Sequence, residues 1–145
     1  SAVHALKYEG VKGVADPLAE LMSDAILHQQ LTFDIIIPVP LHLARLAERG
    51  YNQANLLAEA LAPLMNCPVR ADSLARLKAT SSQVNLNAEE RRLNVVDAFA
   101  AAGHLAPRVL LIDDVCTTGS TLGAAAVALR QAGVETVYAA TVALA

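Results

Sequence analysis

The stretch VLLIDDVCTTGST, residues 109–121, decides which fold this sequence predicts. Four apolar residues lead directly into two adjacent acids, and residues with hydroxyl groups follow on both sides of Gly119. The apolar run is typical of a buried strand in a parallel sheet, and the Ser and Thr residues are typical of a helix start. In open parallel sheets, ligands bind beyond the carboxyl ends of the strands. We therefore predict a strand, a ligand-binding loop and a helix, in this order.

The two acids, Asp113 and Asp114, suit hydroxyl groups better than a single metal ion. Successive side chains of a strand point to opposite faces, so neighbouring carboxylates do not easily chelate one ion. They fit two separate acceptor tasks, such as binding the vicinal hydroxyls of a ribose. The helix start that follows offers free N–H groups and a partial positive charge, which favour an anion. The combination fits a ribose 5-phosphate.

Three other interpretations of this stretch compete with a sugar-phosphate site. A strand followed by a helix with a Ser or Thr cap is common in α/β proteins and has a purely structural explanation. An acidic strand end also occurs in nucleoside-triphosphate hydrolases, but these need a Gly-Lys pair upstream, which this sequence lacks. A dinucleotide site needs G-x-G-x-x-G, which is also missing.

Composition limits the class of protein. The length of 145 residues predicts a single domain spanning 1–145. Because 54% of the residues are hydrophobic and only 3% are aromatic, we predict an aliphatic core. Because the net charge is −3, we do not expect direct binding of nucleic acid. No apolar run is long enough for a membrane span, so we expect no membrane association. The two cysteines, Cys67 and Cys116, form no C-x-x-C pair, and a reduced, cytoplasmic setting is predicted.

The rest of the chain predicts alternating helices and strands. Asp16-Pro17 predicts a helix start and a helix over 17–30, because Asp caps helices and Pro suits their first position. Further elements are predicted as strands at 33–40, 68–70, 73–77, 96–101, 108–114 and 136–145, helices at 52–65, 87–94 and 120–132, and a mobile loop at 76–86. Pro63 should end or kink its helix, and Gly133 should cap another. The order strand, helix, strand at the C-terminal end predicts a parallel β-α-β unit. The alternation of helices and strands along the whole chain predicts an α/β fold.

The stretch at 109–121 resembles the signature of type I phosphoribosyltransferases, which bind phosphoribosyl pyrophosphate (PRPP). IIIPVPLHLARLAERGYNQANLLAEAL at 35–61 and LARLKATSSQVNLNAEERRLNVVDAFA at 74–100 resemble the ComF/GntX group of that superfamily. The resemblance covers roughly 5–145. It implies a mainly parallel twisted sheet flanked by helices, and a link with DNA uptake in competence or with gluconate use. Members of this group often begin with a small zinc-binding cysteine module, which is absent from this sequence.

The resemblance also implies roles for individual residues. Asp113 and Asp114 would meet the ribose hydroxyls of PRPP, and Arg76 and Lys78 would bring positive charge from a loop that closes over the substrate. The residues that would hold the 5-phosphate are Thr117, Thr118, Gly119, Ser120 and Thr121. The residues that would hold the pyrophosphate are Leu41, His42 and Arg45. Mg²⁺ would arrive mainly through the substrate, with no metal ligands from the protein.

Two functions stay open at this point. The first is an enzyme that transfers a phosphoribosyl group to an unknown acceptor and releases pyrophosphate. The alternative is a non-catalytic PRPP-binding sensor or scaffold in the DNA-uptake machinery, with competence proteins as partners. The segment RGYNQ at 49–53 is equally open, because Asn52 and Gln53 suit both a helix cap and substrate contact.

Overall fold

The computed structural model describes residues 12–41, 47, 52–77, 98–103, 105–116 and 119–144, with side chains omitted at 12–14, 115–116 and 143–144. Its helices are α1 (Lys12–His28), α2 (Gln53–Met65) and α3 (Ser120–Gln131), with a short 3-10 helix at Ala71–Ser73. Its strands are β1 (Ile35–Pro38), β2 (Leu74–Arg76), β3 (Phe99–Ala101), β4 (Arg108–Cys116) and β5 (Thr136–Leu144). The predicted α/β class is confirmed.

The main sheet is parallel, with the order β1-β4-β5. Strand β4 lies in the middle: Ile35 pairs with Val109 on one side, and Val109 pairs with Val137 on the other. Because β4 and β5 are parallel and joined through α3, the predicted β-α-β unit is confirmed. A second, two-stranded sheet pairs β2 with β3 in antiparallel register. The short strands predicted near 73–77 and 96–101 are therefore partners.

The core lies on both faces of β4 and follows the alternation of its side chains. Leu110 and Ile112 pack on one face with residues of α1 and α2. Val109 and Leu111 pack on the other face with residues of α3 and of the β2–β3 pair. All four side chains are fully buried. A strand covered on both faces explains why the apolar run in the sequence is continuous rather than alternating.

One predicted helix boundary at a proline is corrected. Helix α1 begins at Lys12 and contains Pro17, so the helix start predicted at Asp16-Pro17 is wrong. Ala15, before the proline, is buried together with Leu18 and Ala19 after it. This continuous apolar stripe offsets the hydrogen bond that Pro17 cannot donate. Helix α2 continues through Pro63 and ends at Met65, the end predicted for it.

The other boundaries agree more closely with the sequence. Gly133 has a φ of 106°, as expected for a glycine just after the end of α3. The predicted strand at 68–70 is an isolated bridge between Val69 and Ile36. The predicted helix at 87–94 and most of the predicted loop at 76–86 lie outside the described residues. None of the described helices is long and apolar enough to cross a membrane.

Candidate functional site

The carboxyl ends of the parallel strands meet at one edge of the sheet, which we call the carboxyl edge. At this edge the N–H of Val39, just after β1, donates to the Ile112 carbonyl of β4 at 2.8 Å. The next residues of β4 are Asp113 and Asp114, both half-buried. Strand β4 continues to Cys116, two residues beyond its predicted end, because it stays paired with β5. The Thr141 hydroxyl of β5 donates to the Asp114 carbonyl at 3.1 Å and fixes the backbone beside the acids.

Asp113 is held in surroundings that disfavour its charge. Burial raises its pKa to about 7, and a side-chain hydrogen bond with Asp114 and the charge of Asp114 act in the same direction. The Asp114 N–H, which donates to Asp113 Oδ1 at 2.9 Å, and the charge of Arg76 oppose this rise. Near neutral pH the Asp113 carboxyl group is therefore protonated for part of the time. Such a perturbed acid at a strand end is a mark of a functional site.

The alternation of the strand predicts two separate acceptor tasks for the two carboxylates, and this stays a prediction. The structure adds an interaction between the two side chains, because a side-chain hydrogen bond with Asp114 contributes to the raised pKa of Asp113. Asp113 also turns its carboxylate back along its own backbone to accept the Asp114 N–H. The pair thus offers several acceptor oxygens at one strand end.

Arg76 is the predicted site residue that the fold brings to this acidic pair from a distant part of the sequence. It lies at the end of β2, and its charge lowers the pKa of Asp113. Its guanidinium carbon lies 5.2 Å from the centre of the Phe99 ring of β3, within the range of a cation–π contact. Phe99 itself packs in the core with Val109 and Leu111, on the face of β4 that Asp113 continues. The β2–β3 pair thus positions a cation beside the acids.

The start of α3 provides the second half of the predicted site. Gly119 precedes the helix with a φ of 80°, in the left-handed region where glycine is favoured. Its carbonyl accepts the first helical hydrogen bond from Gly123 at 2.8 Å. Ser120 and Thr121 follow in the first turn and are half-exposed. Gly119 makes no side-chain hydrogen bond to cap this helix start, and helix starts generally attract anions through their N–H groups.

The start of α2 lies at the same carboxyl edge. Asn52 caps this helix, since its Oδ1 accepts the Ala54 N–H at 3.0 Å. Its Nδ2 donates to the Val39 carbonyl at 3.1 Å and ties the helix start to the end of β1. The capping interpretation of Asn52 is therefore confirmed. The tie to Val39 could not be found from sequence, because it joins residues 13 positions apart across a loop.

The structure gives little or no information on the remaining predicted site residues. Leu41 follows β1 at the carboxyl edge and is half-exposed. Five predicted residues lie outside the described part of the chain: His42, Arg45, Lys78, Thr117 and Thr118. Within the described part, no three His, Cys, Asp or Glu side chains are placed to hold a metal ion together.

Comparison with known proteins explains this geometry. A family described as the phosphoribosyl transferase domain matches residues 11–145. The chain belongs to this family. Among curated relatives, this phosphoribosyl transferase domain is 44% identical over 112 residues to Competence protein F of Haemophilus influenzae, covering 74% of this chain and 49% of that protein. It is 35% identical over 141 residues to the DNA utilization protein YhgH of Escherichia coli O157:H7, and the match covers 93% of this chain and 62% of that protein. The chain thus spans about half to three fifths of the length of these relatives.

Solved structures show the same fold. The phosphoribosyl transferase domain superposes on glutamine PRPP amidotransferase from B. subtilis with a TM-score of 0.59 at 18% identity, covering 89% of this chain and 26% of that one. It superposes on a purine phosphoribosyltransferase from Pyrococcus horikoshii with a TM-score of 0.54 at 18% identity. This match covers 90% of this chain and 72% of that one. At such low identity these likenesses concern the fold alone. The predicted type I phosphoribosyltransferase fold is confirmed.

Proposed function

We propose that this domain binds PRPP and transfers its phosphoribosyl group to an acceptor, with release of pyrophosphate. The observation that carries the proposal is the acidic pair of β4, which lies directly before the uncapped start of α3 at the carboxyl edge. Carboxylates accept hydrogen bonds from sugar hydroxyls, and a helix start attracts a phosphate. The family match and the resemblance of 109–121 to the signature of PRPP-binding enzymes support the same ligand.

In this proposal each half of the site binds one half of a ribose 5-phosphate. Asp113 and Asp114 accept the ribose hydroxyls. The backbone N–H groups and hydroxyls at 117–121 hold the 5-phosphate. The proton on Asp113 is lost when donor hydroxyls arrive, because hydrogen bonds to the charged form favour ionisation. The ligand thus replaces the hydrogen bond that joins the two acids in the free protein.

The transfer step needs charge stabilisation rather than a covalent attachment to the protein. The bond between ribose C1 and the pyrophosphate oxygen breaks, and its electron pair leaves with pyrophosphate. The acceptor then supplies the electron pair for the new bond at C1 and loses a proton to solvent or to a basic group. Positive charge that develops on the ribose is stabilised by the acidic pair. Arg76 and Lys78 would place positive charge near the departing pyrophosphate, and Leu41, His42 and Arg45, which follow β1, would hold it.

Mg²⁺ fits this site as part of the substrate. Mg²⁺ is usually bound by one or two carboxylates together with substrate phosphates, and it keeps several waters. The acidic pair can supply such a partial set of ligands. When bound, Mg²⁺ would neutralise charge on the pyrophosphate. The protein's own groups would orient the ribose and the 5-phosphate.

The wider role that we propose is in the use of DNA taken up by the cell. The relatives are named Competence protein F, Competence protein ComFC and DNA utilization protein YhgH. These names favour competence-machinery proteins as partners, and a cytoplasmic place of action is part of the proposal. They also favour a second candidate function, a PRPP-binding module without turnover, because none of them names a transfer reaction.

Pyrophosphate release separates the two candidates. The full-length protein is mixed with PRPP, Mg²⁺ and a panel of nitrogen acceptors, and pyrophosphate is measured by a coupled assay. We expect release with at least one acceptor, and a rate lower by about 100-fold or more in Asp113→Asn/Asp114→Asn, because the charge stabilisation is lost. If PRPP binds but no acceptor yields pyrophosphate, the transferase proposal is wrong and the binding module is favoured.

A further inference from the structure

Gln53, the first residue of α2, carries a buried donor that the fold does not use. Its side chain is only 1% exposed. Its Nε2 is buried and meets no hydrogen-bond acceptor in the described part of the protein. Buried polar groups in folded proteins are nearly always hydrogen-bonded, because an unpaired donor keeps the full cost of leaving water. An acceptor for this amide therefore has to come from elsewhere.

The position of Gln53 relates this open donor to the acidic pair. Its neighbour Asn52 donates to the Val39 carbonyl, and the Val39 N–H donates to the Ile112 carbonyl. Asp113 is the next residue after Ile112. Gln53 thus belongs to a helix start that two successive hydrogen bonds connect to the acidic part of β4.

The two helix starts at the carboxyl edge lie on opposite faces of the sheet. Helix α2 packs on the face of Leu110 and Ile112, whereas α3 packs on the face of Val109 and Leu111. Helix α3 begins shortly after the carboxyl end of β4, and the start of α2 is held at the carboxyl end of β1 by the hydrogen bond from Asn52 to the Val39 carbonyl. The acidic pair therefore lies between two positive helix ends, one on each side of β4.

A ligand with two anionic ends and hydroxyls between them matches this arrangement. The start of α3 suits one anionic end and the acidic pair suits the hydroxyls. The start of α2, where the Asn52 cap accepts the Ala54 N–H, offers the Gln53 amide as a donor for the other anionic end. We infer that Gln53 donates a hydrogen bond from Nε2 to an oxygen of the substrate's diphosphate. This inference rests on the proposed function, in which PRPP is the ligand.

Two substitutions at Gln53 remove the donor with little change in shape. Gln53→Met replaces the amide by an apolar group of similar length. Gln53→Glu keeps the shape but offers an acceptor where a donor stood. The matched control is Gln131→Met, the same change at the exposed end of α3. Affinities for pyrophosphate and for ribose 5-phosphate, each with Mg²⁺, are measured by calorimetry on the full-length protein, and thermal unfolding is measured without ligand.

The inference predicts a loss confined to one ligand. Pyrophosphate affinity should fall by about 10- to 100-fold in both Gln53 variants, the range for a hydrogen bond to a charged group. Ribose 5-phosphate affinity should change by less than about twofold, because that ligand lacks the diphosphate. Gln131→Met should match the wild type for both ligands. The unfolding temperature of Gln53→Met should stay equal or rise, since an unpaired buried donor has been removed.

Other outcomes overturn the inference in distinguishable ways. If both Gln53 variants bind pyrophosphate like the wild type, the amide serves folding or a buried water, and only this inference fails. A lower unfolding temperature with unchanged pyrophosphate affinity leads to the same conclusion. If the wild type binds neither pyrophosphate nor ribose 5-phosphate, the proposed function fails together with the inference.

Discussion

Asp113 is an acid whose surroundings disfavour its ionised form. Burial and the neighbouring Asp114 raise its pKa to about 7, while Arg76 only partly compensates. A carboxylate that must ionise above neutral pH in a half-buried place lowers the stability of the folded protein. Such a cost is expected where a residue serves a ligand instead of the fold.

Asp113→Asn should separate stability from function. The unfolded chain ionises this group near its ordinary pKa of 3.8, and the folded protein near 7. Between these values the folded state keeps a proton that the unfolded state has lost, so stability falls as pH rises through this window. At pH 8 the variant should be more stable than the wild type by about 1–3 kcal/mol, because one pKa unit is worth about 1.4 kcal/mol.

The measurement is urea unfolding of both proteins at pH 4 and pH 8. At pH 4 the difference should be much smaller than at pH 8, because Asp113 is protonated in the folded state and still partly protonated in the unfolded chain. Asp24→Asn, an exposed acid of α1, is the control and should change little at either pH. A variant that is less stable than the wild type at pH 8 would contradict the account.

The sequence predicts the identity of the site residues better than their mutual contacts. Asp113, Asp114 and Gly119 follow from one local pattern, because a strand, a loop and a helix in succession put them at a strand end. The hydrogen bond between the two acids does not follow. It depends on Asp113 turning back to the Asp114 N–H, a side-chain choice that strand alternation does not encode.

At the scale of elements, Asn52 at the start of α2 both caps the helix and binds the end of β1. Asn52 closes the first turn through Ala54 and holds the helix to the end of β1 through Val39. One side chain thus fixes both the direction of the helix and its distance from the carboxyl edge. The sequence shows the cap, but the second contact becomes visible only when the strand and the helix have been placed side by side.

Asn52→Ala should therefore lower the free energy of unfolding by about 1–2 kcal/mol, the usual cost of losing a helix cap with its hydrogen bond. Urea unfolding measures this loss. Asn66→Gly, at the other end of the same helix, is the control. Asn66 has a φ of 54°, which glycine adopts without strain, so this variant should keep its stability. An Asn52→Ala variant as stable as the wild type would show that α2 does not depend on this contact.

Helix boundaries show where local rules fail. Proline predicts a helix start at 17, yet α1 begins five residues earlier, and α2 continues through Pro63 to its predicted end at Met65. In both helices, packing against the sheet decides the length. Ala15 and Leu18 of α1 and Leu57 and Leu61 of α2 are buried on the same face of β4. Tertiary burial therefore outweighs the local preference of one residue.

At the scale of the whole molecule, the site is a product of topology. The parallel order β1-β4-β5 brings segments some 75 residues apart to one edge, since Pro38 pairs with Ile112. The motif at 109–121 predicts this edge and the resemblance predicts the fold. The place of Arg76 beside Asp113 is different, because it depends on the β2–β3 pair packing against one face of β4. No pattern within β2 alone indicates which strand it will cover.

The central claim is that the acidic pair of β4 binds the ribose of PRPP, and calorimetry tests it most directly. PRPP with Mg²⁺ is titrated into the wild type, into Asp113→Asn/Asp114→Asn, and into Asp24→Asn/Asp72→Asn, which changes the net charge equally at two exposed positions. The account predicts that the wild type and the control bind alike. It predicts that the acidic-pair variant binds about 100-fold more weakly or worse, because two charged acceptors are lost. Equal affinity in all three proteins would contradict the account.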